Sequence, residues 1–235
     1  NTMTTSDLNG ALSPAFLGFC DKVRKNDPSI LPETGQSFRI RHLREKEDIE
    51  LADALLENTN VTYLDFEGKK YTKSSAEAMA KYVRSSKSLQ RIDWNGELGQ
   101  CEEIICCFLH AFQESTSLKE LHINFPVIDG PSSLALENML TNTQSLQPLG
   151  LTFPFGPSQD IAVAVARSGL EESTTLRELT LHLGGIATTD SPFLSYLLHH
   201  PFLRKLCLFG DGVEMTGLET VLQSDTSRIT KVDIY

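Results

Sequence analysis

The sequence has few of the residues on which disulfide-bonded, secreted or membrane folds depend. Only five of its 235 residues are cysteine, and only one is tryptophan. Because the cysteine count is odd and the spacings are unpaired, a disulfide framework is disfavoured and a reducing compartment is expected. No apolar run approaches the ~18 residues of a membrane-spanning helix, and the first residues lack a charged and then apolar signal pattern. These absences predict a cytoplasmic protein that does not enter a membrane.

Positive charge is also scarce. The chain carries 21 lysine and arginine residues against 31 aspartate and glutamate residues, which gives a formal net charge of −10. Nucleic acids and anionic lipid surfaces select a basic face, so this balance argues against both as main partners. The apolar fraction of 40% and the charged fraction of 22% are typical of a globular protein.

Catalytic signatures are missing as well. The sequence contains no glycine-rich phosphate loop, no G-x-S-x-G and no H-E-x-x-H. Three cysteines cluster at Cys101, Cys106 and Cys107, but this is not a zinc spacing, and we interpret them as small apolar residues of one helix. The sequence therefore predicts a protein that is not an enzyme and holds neither a cofactor nor a metal.

A repeat is the strongest signal that the sequence does contain. The pattern L-x-x-L-x-L, in which L is any large apolar residue, recurs at intervals of 26–30 residues. A weaker copy before the first clear one places Phe38 and Ile40 in the last two apolar slots. The seven clear copies begin at Val61, Leu89, Leu118, Leu146, Leu176, Leu203 and Ile229.

Each copy is preceded by an apolar stripe with helical spacing. Leu140 lies six residues before Leu146, for example, and Leu136 lies four residues before Leu140. A small polar residue usually stands three before the first slot, where the chain turns from helix to strand. Stacked strand–helix units bury a continuous slab between a parallel sheet and a helix layer. We expect about eight units in a horseshoe, with strands on the concave face and helices on the convex face.

These strands and their period resemble leucine-rich repeats of the ribonuclease-inhibitor-like type. The resemblance covers about residues 27–235 and implies an α/β solenoid, although the asparagine that often follows the strand is missing. The segments 26–29 and 52–61, which read NDPS and ADALLENTNV, are also similar to the repeat domain of tropomodulins. That more distant similarity implies an alternative function, the capping of actin filament pointed ends.

The ends of the chain lead to further expectations. Residues 1–13 are polar and aperiodic, so we expect them to be disordered or a cloning remnant. Residues 14–235 should form a single domain, with a capping helix over 14–26. The last predicted strand reaches Tyr235 with no polar cap after it, although repeat arrays usually need one. An alternative interpretation is therefore that the chain is a fragment of a larger receptor or of a ubiquitin-ligase substrate-recognition subunit.

Side chains that alternate along the strands point into the concave face, where a partner would bind. On the first three clear copies these positions are mostly polar or acidic, and we call them the charged zone. A basic protein surface would be steered towards the acidic side chains here. A metal site or an acid–base pair built on Asp65, Asp93 and His122 is disfavoured, because ligands in one flat row rarely converge and no nucleophile accompanies them. The charged zone comprises Tyr63, Asp65, Glu67, Arg91, Asp93, Asn95, Glu120, His122 and Asn124.

A second, uncharged region lies next to it. Phe125 and Phe153 each follow a concave strand, and Thr152 lies on the face itself. The two phenylalanines either form an exposed anchor pair for a partner or pack under the loops. We call these three residues the apolar zone. The whole pattern predicts a non-catalytic scaffold that binds a protein through its concave face and rising loops.

Overall fold

The computed structural model describes residues 11–30, 37–40, 43–66, 70–94, 101–124, 130–153, 168–183, 197, 199–209 and 228–234. Within these ranges, eight strands pair in chain order into one open sheet, and every pairing is parallel. The predicted α/β leucine-rich repeat solenoid is therefore confirmed. The strands are β1 (Ser37–Ile40), β2 (Tyr63–Phe66), β3 (Arg91–Trp94), β4 (Glu120–Asn124), β5 (Pro148–Phe153), β6 (Glu178–Leu183), β7 (Lys205–Phe209) and β8 (Lys231–Ile234).

Helices alternate with the strands and pack side by side. The helical layer follows the chain in the order α1–α2–α3–α4–α5, and each of these helices contacts the next. Residues 168–172 are also helical. The bounded helices are α1 (Pro14–Arg24), α2 (Glu45–Leu56), α3 (Lys73–Ser85), α4 (Glu102–Glu114) and α5 (Gly130–Asn142).

The sheet register follows the repeat residue by residue. Leu64 pairs with Ile92, Ile92 with Leu121, and Leu121 with Leu149, so the second apolar slot of every copy occupies one row. All four side chains are essentially inaccessible to solvent. Because side chains alternate along a strand, this register also fixes which residues face the concave side.

Aromatic side chains fill the core between β2, β3 and the helices. The Trp94 and Phe108 rings meet edge to face with centroids 4.2 Å apart, and Phe112 makes a second edge-to-face contact with Trp94 at 5.6 Å. Phe66 and Tyr71 lie against the same cluster. Such contacts add to the free energy gained by area burial alone.

The N-terminal helix has a sequence-encoded start and stop. The Ser13 hydroxyl accepts a hydrogen bond from the backbone N–H of Phe16 at 3.2 Å, and Pro14 occupies the first turn, where a missing N–H costs nothing. Asn26 has a positive φ of 57°, which ends the segment. The buried side chains of α1 belong to the core, and this helix packs against α2. The single domain over residues 14–235 and the capping role of the helix over 14–26 stay predictions. Residues 1–10 of the segment that we expected to be disordered lie outside the described residues.

Two of the three clustered cysteines lie on one helix. Cys106 and Cys107 are half-buried on α4, as expected of small packing residues, whereas Cys101 is exposed at the N-cap position of that helix and its side chain makes no capping hydrogen bond. No group of histidine, cysteine, aspartate and glutamate residues in the described part of the chain could hold a metal ion. No helix among those residues has the length and apolarity needed to cross a membrane.

The turns from helix to strand form a ladder of hydrogen bonds between copies. Asn58 accepts from the N–H groups of Asn60 and Val61 and donates to the Val23 carbonyl of the preceding unit at 2.6 Å. The serine hydroxyls at this position in two later copies also accept from the backbone two or three residues on. The polar residue in the turn from helix to strand is therefore a specific part of the repeat.

His200 occupies the same turn position in a later copy. Its Nδ1 accepts from the N–H of Leu203 at 3.1 Å, and its Nε2–H donates to the Leu170 carbonyl at 2.9 Å. This arrangement requires a neutral imidazole. Burial lowers the pKa of His200, and the positive charges of Arg177 and Arg204 lower it further.

We predict that this histidine makes the fold sensitive to acid. A base with a lowered pKa in the folded state contributes its full stability above its unfolded pKa of about 6.5 and loses it as the pH falls through the folded value. Chemical unfolding measured between about pH 8 and about pH 5 should show this loss. His200→Asn, which installs the side chain that Asn58 uses, should flatten the profile of stability against pH, whereas His110→Asn, at an exposed position of α4, should not. Equal slopes for wild type and His200→Asn would contradict the prediction.

Candidate functional site

The strand register brings the charged zone together in two rows. Tyr63, Arg91 and Glu120 are direct neighbours on β2, β3 and β4. Two residues further along, Asp65, Asp93 and His122 form a second row. Neighbouring strands lie about 4.8 Å apart, so charged side chains in and between these rows are within reach of one another.

Arg91 is the centre of the charged zone. Its Nε and Nη2 atoms donate to the two carboxylate oxygens of Asp93 at 3.0 and 2.9 Å. Its Nη1 atom lies 2.9 Å from Oε1 of Glu120 on the next strand. The guanidinium carbon is 4.8 Å from the centroid of the Tyr63 ring. Bidentate pairing and ring stacking together fix the guanidinium plane.

The Tyr63 hydroxyl completes the network by donating to Oδ2 of Asp93. Burial and this hydrogen bond raise the pKa of Tyr63 to about 12, so the phenol keeps its proton. Burial opposes ionisation of Asp93, but the hydrogen bonds from Arg91 and Tyr63 outweigh it and hold the Asp93 pKa below its ordinary value. Asp93 is therefore an ionised carboxylate with both oxygens engaged.

Arg39 adds a cation that the sequence reasoning did not identify. Its Nε atom donates to Oδ2 of Asp65 at 2.8 Å, across the pairing of β1 with β2. Asp65 itself is only 6% exposed. The signal was present in the weak first copy, because a residue between the inward-facing Phe38 and Ile40 must point to the concave side.

His122 lies at the boundary between the charged zone and an uncharged stretch of the face. Its Nε2 atom is 3.0 Å from Oε1 of Glu120, so one carboxylate holds both Arg91 and His122. On the next strand the position opposite His122 is Gly150. A Cβ atom there would lie 2.1 Å from Nδ1 of His122, so only glycine leaves room for this imidazole.

Among the described residues of the zone, Arg91 and the neighbouring Arg39 offset most of the acidic charge. Asp65, Asp93 and Glu120 face the guanidinium groups of Arg39 and Arg91. The acidic excess expected from the sequence is thus reduced to about one charge over these five residues. Glu67 and Asn95, which also belong to the predicted zone, lie outside the described residues.

The apolar zone is described only in part. Asn124 of the charged zone is exposed and pairs in register with half-buried Thr152. Phe153 is the last residue of β5, and Phe125 lies outside the described residues. The anchor role of the two phenylalanines stays a prediction.

A groove of about 570 Å³ runs along the N-terminal ends of β2 to β5 and meets the charged zone at Tyr63 and Arg91. Sequence reasoning missed its floor, because it considered the strand positions and not the residue directly before each strand. Long polar side chains occupy those preceding positions. The groove is lined by Thr62, Tyr63, Gln90, Arg91, Lys119, Glu120, Gln147 and Pro148.

Comparison with solved structures supports the fold. The chain is similar to the structure titled leiomodin-1 actin-binding site 2, with a TM-score of 0.51 and 17% identity over 69% of this chain and 92% of that one. A tropomodulin C-terminal domain from Caenorhabditis elegans is 13% identical, with a TM-score of 0.47 over 66% of this chain and 93% of that one. No protein-family model matches the sequence, and no curated protein matches it significantly. At these identities the likeness to leiomodin-1 establishes a leucine-rich-repeat-like fold.

Proposed function

We propose that the protein is a non-catalytic scaffold that binds a protein partner through its concave sheet face. The observation that carries this proposal is the ordered network around Arg91, which presents charged and aromatic groups on an open sheet surface. The ribonuclease-inhibitor-like type of repeat is part of the same proposal. So is a cytoplasmic location, for which the composition of the chain is the support.

The network suits recognition because its side chains are already held in place. Binding normally costs conformational entropy for each long side chain that becomes fixed, and a side chain that is fixed beforehand avoids this cost. Arg91 keeps 39% of its side chain exposed although it contacts Tyr63, Asp93 and Glu120. Arginine and tyrosine are also the residue types that most often dominate binding energy at interfaces.

The charge balance of this face narrows the chemistry expected of the partner's surface. A strongly basic surface would have to displace Arg39 or Arg91 from the carboxylates that they already engage. Replacing one partner of such a pair leaves the other charge unpaired, which is costly. We therefore propose a partner that adds hydrogen bonds and aromatic contacts to the intact network, with the apolar zone as its adjoining anchor site.

The test compares a concave variant with a convex one. Tyr63→Ala combined with Arg91→Ala removes the centre of the network, whereas Arg84→Ala removes an exposed arginine from α3 that pairs with Glu114. The assay is affinity capture from native extract followed by quantitative mass spectrometry. The captured amount of each specific partner should fall about tenfold or more with the concave variant. The Arg84→Ala protein should retain them. Equal capture by the concave variant and the wild type would refute the role of this face.

Actin is a second candidate partner, because the leiomodin-1 structure is titled as an actin-binding site and shares this fold over most of its length. If the protein caps pointed ends, its addition to pyrene-labelled actin filaments with blocked barbed ends should slow elongation in proportion to its concentration. Unchanged elongation would eliminate this candidate and leave the scaffold proposal standing. The receptor or ubiquitin-ligase alternative uses the same face and stays a prediction.

A further inference from the structure

The residues directly before the strands form a continuous row along the N-terminal ends of the strands. In each copy the backbone N–H of this residue donates to the carbonyl of the corresponding residue one copy earlier, at 2.7–3.0 Å. The row therefore has a fixed spacing of one strand, about 4.8 Å. We call it the ledge, and it consists of Thr62, Gln90, Lys119, Gln147, Arg177, Arg204 and Thr230.

The ledge departs from the charge of the whole protein. Every position on it is cationic or uncharged, although the chain has an excess of ten acidic residues. Its positive end lies at Arg177 and Arg204, and Arg228 adjoins them just before β8. The arginine end of the ledge shares no residue with the Arg91 network, although Gln90 and Lys119 line the same groove as Arg91. The inference therefore does not depend on the function proposed for that network.

The three arginines are oriented without being neutralised. Arg177 donates through Nη1 to the carbonyls of Thr174 and Leu176 at 2.9 and 3.1 Å. None of the three forms an ion pair with a carboxylate anywhere in the described ranges, in contrast to Arg39 and Arg91. Each guanidinium group therefore retains donors that a ligand can use.

Two of these cations are also close to one another. Arg204 and Arg228 both donate through Nη1 to the carbonyl of Pro201, at 3.3 and 3.5 Å. Like charges that share one acceptor repel each other, and an anion bound between them relieves that repulsion. The Arg177 guanidinium lies 5.3 Å from the centroid of the Phe202 ring, which helps to hold it beside the pair.

The lysines that directly follow ledge residues at the start of β7 and β8 already form ion pairs. Lys205 lies 3.2 Å from Glu178, and Lys231 lies 2.7 Å from Asp233. These carboxylates, together with the net charge of −10, oppose a dense row of phosphates. Further along the ledge, the amides of Gln90 and Gln147 can pair with a peptide backbone. The chemistry thus favours an acidic peptide over a nucleic acid.

We propose that the ledge binds an extended acidic segment of a protein, with its carboxylates on Arg177, Arg204 and Arg228. Six strand intervals of about 4.8 Å span about 29 Å, which an extended peptide covers with about nine residues. The segment would cross the strands at right angles and place its uncharged part over the glutamines.

The test uses fluorescence anisotropy of the full chain with a labelled ten-residue peptide, one half of which is glutamate and the other half serine, to match the arginine end and the glutamine part of the ledge. Arg177→Gln combined with Arg204→Gln installs the residue that the ledge carries at Gln90 and Gln147, so the fold should be retained, which circular dichroism checks. Lys73→Gln combined with Arg84→Gln changes the net charge equally on the convex helices. We expect the ledge variant to weaken binding about tenfold and the control to change it less than about twofold.

Three results would overturn the proposal. The first is no binding of the peptide by the wild type at about 1 mM protein in about 50 mM salt, where exposed charges act strongly. The second is an equal loss of binding in the ledge variant and the convex control. The third is tighter binding of a labelled ten-nucleotide single strand than of the peptide, which would assign the ledge to nucleic acid. Peptide binding that falls with added salt and is lost only in the ledge variant supports it.

Discussion

Everything in this structure depends on the burial of one apolar stripe per copy between the sheet and the helices. Leu64, Ile92 and Leu121 stand in one row because each copy hides the same slot against its neighbours. A slip of one residue in any strand would turn those side chains outward and its polar neighbours inward, which is why the register is so strictly kept. The polar rows on the concave face take their alignment from this buried row.

In the charged zone, the strand register brings charged side chains from different copies into contact. Arg91, Asp93 and Glu120 come from two different copies, and they meet because the sheet places equal positions side by side. The turn ladder and the ledge arise in the same way at other points of the repeat. One repeating unit therefore builds three different surfaces, and the residue chosen at each position decides whether that surface is neutral, acidic or basic.

The sequence was sufficient for the fold and for the alignment of the two described rows, in which Arg91 lies between Tyr63 and Glu120 and Asp93 lies between Asp65 and His122, because apolar periodicity reports burial directly. It was insufficient for the pairing of charges. Asp65 reads as an exposed acid in the sequence, but Arg39 in the weakest copy covers it, and only the register shows that these two meet. The ledge escaped notice for a similar reason, since Arg177 and Arg204 are far apart in the chain and become neighbours only through backbone pairing. Glu67, Asn95 and Phe125 lie outside the described residues.

The central claim is that the apolar stripe of each helix supports the sheet, and two leucines of α5 test it directly. Leu136 is fully buried against the core, whereas Leu134, two residues earlier, is 59% exposed. Equilibrium unfolding in urea should show that Leu136→Ala lowers the free energy of unfolding by about 2–5 kcal/mol, as loss of a packed leucine does. Leu134→Ala should change it by less than about 0.5 kcal/mol. Similar small effects of both substitutions would contradict the account.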